Sequence, residues 1–147
     1  MYSEVKLLNE LMRDEDLRFN AYEDTQGLWT IGIGHLLGHI QRMSSINYNE
    51  IISLYNGDIK IALVIVRSCI PKFDTLDDVR QRALINMAFN RGENMKTSST
   101  ITPAINKAVD TGDWEPLEVA INTSQWAQQV GNRATRLLYM LTTGKVQ

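Results

Sequence analysis

The sequence predicts an α+β protein that is mainly α-helical, with a small N-terminal β-hairpin lobe and a helical C-terminal lobe joined by a long helix. Two observations predict this fold. Alternating residues and turn signals occur only between about residues 18 and 34, whereas apolar residues recur at helical spacing before that stretch and from residue 47 to the end. At 147 residues, the chain can bury roughly 70% of its unfolded surface in an ordinary core.

The N-terminal part of the chain predicts a helix followed by a hairpin. Residues 3 to 13 carry apolar side chains at helical spacing, and Ser3 is suited to cap a helix that ends near residues 13 to 15. In "RFNAYEDTQGLWTIGIG", the segment "DTQG" is typical of a four-residue turn between two strands. Gly32 and Gly34 are poor strand residues, so another group is expected to approach the backbone closely there.

Capping patterns predict where the next two helices begin. Asn47 and Glu50 resemble a capping box that opens a long helix over about residues 48 to 66. Thr75 and Asp78 repeat this spacing before "LDDVRQRALINMAFNRG". Both segments are therefore predicted to be helical.

The second of these helices is predicted to contribute to the core. Its apolar stripe includes Leu84, Met87 and Ala88, and Gly92 is expected to end it. Residues 94 to 100, "NMKTSST", are predicted to form a mobile loop. Further helices are predicted from Thr102–Pro103, from Asp113 with Pro116 in the first turn, and from Asn132 to Leu141 before Gly144.

These elements predict one domain, residues 1 to 147, with two lobes. The hairpin lobe covers about residues 14 to 46, and the helical lobe covers 1 to 13 and about 67 to 147. The helix over about 48 to 66 connects them. A cleft is expected between the lobes, and a cleft is the usual place for a small-molecule or polymer site.

Composition excludes several classes of function. A single cysteine cannot form an internal disulfide, and no residue spacing indicates a metal site. The longest apolar run, "IALVIV", is far shorter than the roughly 20 residues of a membrane span, so stable membrane insertion is not expected. The N-terminus lacks the pattern of a signal peptide, which predicts a cytoplasmic location after synthesis. With a formal net charge of −2, nucleic acid is not an expected partner.

Two carboxylates near the hairpin are candidates for catalysis. Glu15 ends the first helix, Asp24 begins the turn, and Thr30 lies on the returning strand, so folding could bring all three together. Hydrolysis of a glycosidic bond needs a protonated carboxyl and an ionised one in unlike environments. Taken singly, each residue also has an ordinary interpretation: a surface glutamate, a turn-forming aspartate and a good strand residue.

The order and spacing of the whole stretch favour the catalytic interpretation. "LMRDEDLRFNAYEDTQGLWTIGIGHLL" closely resembles the opening of the phage-type lysozymes, glycoside hydrolase family 24, in particular its T-even coliphage members. The resemblance continues through "LYNGDIKIA", "FDTLDDVRQRALINMAFNRGE", "SQWAQQVGNRATR" and "TTG" and so covers nearly the whole chain. It implies a lysozyme-like two-lobed fold and an endolysin that cleaves bacterial peptidoglycan.

Matched position by position, the resemblance implies specific roles. Glu15 would be the general acid, Asp24 the catalytic carboxylate, and Thr30 the residue that positions the attacking water. The reaction implied is hydrolysis, with inversion, of the β-1,4 bond between N-acetylmuramic acid and N-acetylglucosamine. No cofactor is expected, because carboxylates suffice for the proton transfers.

Other matched residues are implied to support the site. Leu36 and Phe89 fall where the family lines its saccharide cleft, one from each lobe. His35 and Asp58 match a structural pair. Arg133 falls where a family arginine lies close to the acidic glutamate, and such a cation would favour the ionised form of Glu15.

The sequence also departs from the family pattern. Only 22 residues separate His35 from Asp58, so the piece of sheet and short helix that completes the small lobe is expected to be reduced. Peptidoglycan is anionic, and a net charge of −2 gives no general attraction to it. Slower attack on cell walls is expected, without a change of reaction.

The expected partner is peptidoglycan, reached in the periplasm after release through a membrane pore formed by a separate protein, a holin. A monomer is expected. Two alternatives remain open: a non-catalytic lysozyme-fold protein that binds wall glycan or a protein partner, and a tail-associated lysozyme module of a virion.

Overall fold

The computed structural model describes all 147 residues. The chain forms two compact units, one of Val5–Ile61 and the other of Met1–Glu4 with Ala62–Gln147. The boundary falls within the long helix, and most of the first helix belongs to the strand-containing unit, whereas the sequence-based division assigned residues 1 to 13 to the helical lobe. The mainly helical α+β fold class is confirmed.

The first unit contains one helix, three strands and the beginning of the long helix. In chain order these are α1 (Glu4–Glu15), β1 (Arg18–Glu23), β2 (Trp29–Gly32), β3 (His35–Gly38) and α2 (Tyr48–Cys69). The strands form an antiparallel sheet in the order β1-β2-β3. The predicted hairpin is therefore confirmed, and β3 adds a third strand that was not predicted.

Register places one row of side chains across all three strands. Tyr22 of β1 lies opposite Thr30 of β2, which in turn lies opposite Leu36 of β3. Residues directly opposite one another in antiparallel strands share a face of the sheet. A further isolated bridge pairs Asn20 with Ser45 on the free side of β1.

The cap predicted for the long helix is present. The backbone N–H of Glu50 donates to Asn47 Oδ1 at 2.9 Å, and the N–H of Asn47 donates to Glu50 Oε1 at 3.2 Å. This reciprocal pair satisfies backbone donors that the first helical turn leaves without partners. α2 begins where predicted and ends at Cys69, three residues later than expected.

The second unit is helical. After the end of α2 and a 3-10 turn at Phe73–Thr75 come α3 (Asp78–Arg91), α4 (Asn94–Thr97), α5 (Ile101–Thr111), α6 (Glu115–Asn122), α7 (Gln125–Val130) and α8 (Asn132–Thr143). α3 is the central element of its core, since its residues are buried without interruption from Gln81 to Ala88. The predicted core positions Leu84, Met87 and Ala88 are confirmed.

Two local predictions in this unit need correction. The N-cap of α3 is Asp77, whose side chain accepts the N–H of Arg80, and not Thr75. Asp78 instead accepts the backbone N–H of Ser3 at 2.6 Å. Within the predicted loop, residues Asn94–Thr97 form a short helix.

None of the helices combines the length and apolar character needed to cross a membrane.

Candidate active site

Glu15 is the last residue of α1, and its carboxyl group lies directly against the backbone of Gly34. A Cβ atom built on Gly34 would lie 2.6 Å from Glu15 Oε2 and 2.8 Å from its Cδ. Gly34 also has a φ of +62°, which an L side chain rarely adopts. The close approach expected from the glycine pattern is therefore present, and the approaching group is the candidate acid.

Asp24 anchors the turn between β1 and β2 with one of its two carboxylate oxygens. The backbone N–H groups of Gln26 and Leu28 donate to Asp24 Oδ1 at 2.8 Å and 2.9 Å. Backbone bonds from Asp24 to Leu28 and from Gly27 to Asp24 close the same turn. The turn-forming interpretation of Asp24 is thus confirmed, and these two hydrogen bonds use Oδ1 alone.

Thr30 is buried, with 8% of its surface exposed, and it lies between Tyr22 and Leu36 in the row across the sheet. Leu36, at the open end of that row, is 59% exposed. The Thr30 side chain therefore lies on the same face of the sheet as the Tyr22 ring and the Leu36 side chain.

The charges of both candidate carboxylates, Glu15 and Asp24, affect the pKa of Tyr22. Burial raises the pKa of Tyr22, and the negative charge of Glu15 raises it further. Smaller contributions to this pKa come from Arg18, which lowers it, and from Asp16 and Asp24, which raise it. Both candidate carboxylates therefore act electrostatically on a phenol that lies directly opposite Thr30.

Neither Tyr22 nor Arg18 was predicted from the sequence to belong to the site. The Arg18 guanidinium carbon lies 4.8 Å from the centre of the Tyr22 ring, and Arg18 Nη2 lies 3.7 Å from Asp16 Oδ2. The sequence "RFNAY" places an arginine four residues before a tyrosine. Whether the two side chains meet depends on the bulge between Arg18 and Tyr22, which alters the alternation of side chains along the strand.

His35 and Asp58 form the predicted pair. His35 Nδ1 lies 2.8 Å from Asp58 Oδ2, which ties the start of β3 to α2 within the first unit. The hydrogen bond to Asp58 raises the pKa of His35; burial acts in the opposite direction, and the charge of Asp58 adds to the increase. The contact fits a structural role.

Phe89 and Arg133 belong to the helical unit. Phe89 is half-buried near the end of α3. Arg133, in the first turn of α8, is buried, and its Nε donates to Asn86 Oδ1 at 2.9 Å while Nη2 donates to the Asn86 carbonyl at 3.3 Å. The proximity of Arg133 to Glu15 stays a prediction, as does the cleft between the lobes.

No group of three or more His, Cys, Asp and Glu side chains is arranged to hold a metal ion. The first unit holds a glutamate at a helix end, an aspartate fixed by one oxygen and a buried threonine. The mainly helical fold with a small antiparallel sheet is that of the lysozyme class.

Comparisons with known proteins agree with this class. The family model described as phage lysozyme matches residues 12 to 139, so the chain belongs to the phage lysozyme family. The chain is 29% identical to probable T4-type lysozyme 1 of Dictyostelium discoideum, over 98% of this chain and 96% of that protein. It is 25% identical to probable T4-type lysozyme 2 of the same organism, over 97% and 98% of the two chains.

A third relative is a much longer protein. The chain is 31% identical to the pre-baseplate central spike protein Gp5 of Enterobacteria phage T4, over 93% of this chain but only 28% of Gp5. The similarity therefore concerns one part of that spike protein.

Proposed function

We propose that this protein is a muramidase that hydrolyses the β-1,4 bond between N-acetylmuramic acid and N-acetylglucosamine in bacterial peptidoglycan. The observation that carries the proposal is that one unit contains two carboxylates in unlike settings. Glu15 is packed on the Gly34 backbone, and Asp24 is fixed through Oδ1. Membership of the phage lysozyme family supports the same activity.

In the proposed reaction, Glu15 is the general acid. Its proton passes to the glycosidic oxygen as the bond from that oxygen to the anomeric carbon breaks. Glu15 lies in the last turn of α1, where the backbone carbonyls give the helix a partial negative charge. This end of a helix disfavours a second negative charge and so favours the protonated carboxyl that an acid requires.

Asp24 and Thr30 act on the opposite side of the bond. The ionised Asp24 uses Oδ2 to stabilise positive charge at the sugar and to accept a proton from water, while the Thr30 hydroxyl orients that water. Attack from the face opposite the leaving group inverts the anomeric carbon, and in inverting enzymes the two carboxyls stand roughly 6.5 to 9.5 Å apart. The backbone N–H groups that hold Oδ1 keep Asp24 in place through the reaction.

The first test replaces Glu15 with glutamine, which preserves shape and removes the acidic proton. We expect Glu15→Gln to lose activity by about 10²- to 10⁴-fold, the range typical of general acid catalysis. Activity is measured as turbidity loss of outer-membrane-permeabilised Gram-negative cells and as new reducing ends released from purified peptidoglycan. The matched control is Glu4→Gln, at the exposed opposite end of the same helix, and it should retain wild-type activity.

The outcomes separate enzyme from binder. A wild type that clears the suspension, together with an inactive Glu15→Gln protein that is folded by circular dichroism, supports the muramidase. Inactivity of folded wild type would contradict it and favour a lysozyme-fold protein that binds wall glycan or a protein partner without cutting.

The setting of the activity is also a proposal. We propose an endolysin that is made in the host cytoplasm, crosses the inner membrane through a holin pore, acts as a monomer on the wall and lyses the cell. The match to part of Gp5 favours one alternative, a lysozyme module carried by a virion. Detection of the protein in purified virions would select that alternative.

A further inference from the structure

Arg91, the last residue of α3, carries two N–H groups that have no partner. Its Nε and Nη1 atoms are buried and have no hydrogen-bond acceptor, although the side chain as a whole is partly exposed. A buried donor without an acceptor costs free energy, and the cost is larger for a charged group. Burial also lowers the pKa of Arg91, and no neighbouring carboxylate acts against that effect.

Three other arginines make a useful comparison, because each also lies over an aromatic ring. Arg18 lies over Tyr22, Arg67 over Phe73 and Arg80 over Trp114. Each of these has an acidic partner within the protein: Asp16 for Arg18, Asp74 for Arg67 and Asp77 for Arg80. Arg91 has the ring without the acid.

The surroundings of Arg91 hold it in position. Its guanidinium carbon lies 5.5 Å from the centre of the Trp126 ring. Trp126 is itself fixed, because its Nε1–H donates to Asn90 Oδ1 at 2.7 Å. With Oδ1 occupied, the exposed Asn90 has its NH₂ group left to present to a ligand. The local chemistry is therefore rich in donors.

We propose that Arg91 is a binding residue for a carboxylate of the wall polymer, the acid that its three counterparts find inside the protein. With Nη1 and Nη2, a planar guanidinium can donate two parallel hydrogen bonds to one carboxylate, which would give the orphan Nη1–H an acceptor. The side chain, partly exposed as a whole, has to tilt toward solvent for this contact. Trp126 remains beneath the guanidinium and limits the loss of side-chain freedom.

The identity of this ligand rests on the proposed function. Peptidoglycan carries free carboxylates on its stem peptides, and the chain, at a formal net charge of −2, offers no general attraction to an anionic polymer. Arg91, a cation without an acidic partner inside the protein, would supply that attraction at one position.

The test measures binding without cutting. In a Glu15→Gln background, Arg91→Met is compared with Arg67→Met for sedimentation with purified Gram-negative sacculi at low salt. Both substitutions remove one positive charge and one ring contact, but Arg67 is exposed and already paired with Asp74. A second set of sacculi has its carboxyls converted to neutral amides with carbodiimide and methylamine.

We expect Arg91→Met to weaken binding roughly three- to tenfold and Arg67→Met to change it little. On amidated sacculi, the difference between the parent and Arg91→Met should disappear. Arg91→Lys keeps the charge but not the two parallel hydrogen bonds, so it should lose less binding than Arg91→Met and keep a preference for unmodified sacculi. Arg91→Gln, which also removes the charge, replaces Arg91→Met if that variant does not fold.

Several results would overturn the proposal: equal losses for the Arg91 and Arg67 variants, a deficit of Arg91→Met that persists on amidated sacculi, a Lys variant with no preference, or a parent that does not bind sacculi. Failure of the muramidase proposal is distinguishable, because it appears as inactive wild type whatever Arg91 does to binding.

Discussion

Two glycines of positive φ, one in each unit, serve different purposes. In the helical unit, Gly112 has a φ of +75° and follows the end of α5, and a Cβ built on it would meet nothing within 4 Å. In the strand unit, Gly34 has a similar φ of +62°, but a Cβ there would collide with the carboxyl group of Glu15. One glycine allows a helix to end, whereas the other makes room for a candidate catalytic group.

This difference extends to the residues beside the site. Asp16, directly after Glu15, is a non-glycine residue with a φ of +63°. Such a backbone is costly for a side chain, and residues of this kind often lie at functional sites. In the strand unit, a non-glycine residue next to Glu15 thus has an energetically unfavourable positive φ. In the helical unit, positive φ occurs only at glycines that end helices.

The largest expected effect comes from separating the two roles of Asp24. Asp24→Asn keeps an oxygen that can accept the N–H groups of Gln26 and Leu28, but it removes the negative charge. We expect activity to fall by about 10²- to 10⁴-fold while the free energy of unfolding changes little. Release of reducing ends measures the first quantity, and urea unfolding measures the second.

The companion variant Asp24→Ala removes the charge and both hydrogen bonds. It should match Asp24→Asn in activity but lose about 1 to 3 kcal/mol of stability, because each bond contributes roughly 0.5 to 1.5 kcal/mol. An Asp24→Asn protein with wild-type activity would show that the aspartate only forms the turn.

Gly34→Ala tests the comparison between the two glycines directly. The added methyl group must displace the Glu15 carboxyl or shift the strand, since 2.6 Å is closer than real Cβ contacts. A displacement of about 1 Å at a catalytic group can cost on the order of 100-fold in rate, and we expect a loss of that size, measured on the same peptidoglycan substrate.

Gly112→Ala is the matched control. It introduces the same methyl group at a similar φ but in open space, so it should cost on the order of 1 kcal/mol in stability from backbone strain and leave activity unchanged. Equal activity losses in both variants would show that positive φ, and not contact with Glu15, explains the Gly34 position.

Much of the fold could be predicted because its signals are local. Asn47 with Glu50 marked the start of α2, and Gly92 and Gly144 marked the ends of α3 and α8. In each case, a side chain or a glycine close in sequence satisfies the helix terminus, so no distant contact is needed to recognise it.

The missed elements depend on contacts distant in sequence or are very short. β3 has the sequence "HLLG", which shows no alternation, and it is a strand because β2 lies beside it. α4 and α7 have only four and six residues, less than two turns, and leave little periodicity to detect. Such segments take their structure from their neighbours.

The candidate site likewise has a part that could be predicted from the sequence and a part that could not. Glu15, Asp24 and Thr30 were found through a family resemblance, because their ordinary interpretations prevail when each is considered alone. The contact of Glu15 with Gly34 was anticipated only as an unspecified close approach, and the place of Tyr22 opposite Thr30 depends on a register that includes a bulge. Neither the contact nor the register has a signal in the linear sequence.

The smallest expected effect concerns the His35–Asp58 pair, which is expected to stabilise the strand unit and to take no part in catalysis. Because the folded protein raises the pKa of His35, it holds the proton more tightly than the unfolded chain does. The contribution is therefore fully present below the unfolded pKa of about 6.5 and is lost as pH rises through the higher folded pKa. For a partly exposed pair, it should be about 1 kcal/mol or less.

Urea unfolding of wild type and Asp58→Asn between pH 5.5 and 8.5 checks this direction (these pH limits span roughly one unit below to two above the unfolded value). The stability difference between the two proteins should be greatest at the acidic end and should shrink as pH rises. His39→Gln, which removes the only other histidine, at an exposed position, controls for the loss of an imidazole as such. A difference that grows with pH would mean that the neutral imidazole is the form that Asp58 holds, and the pair would then stabilise β3 as a neutral hydrogen bond and not as an ion pair.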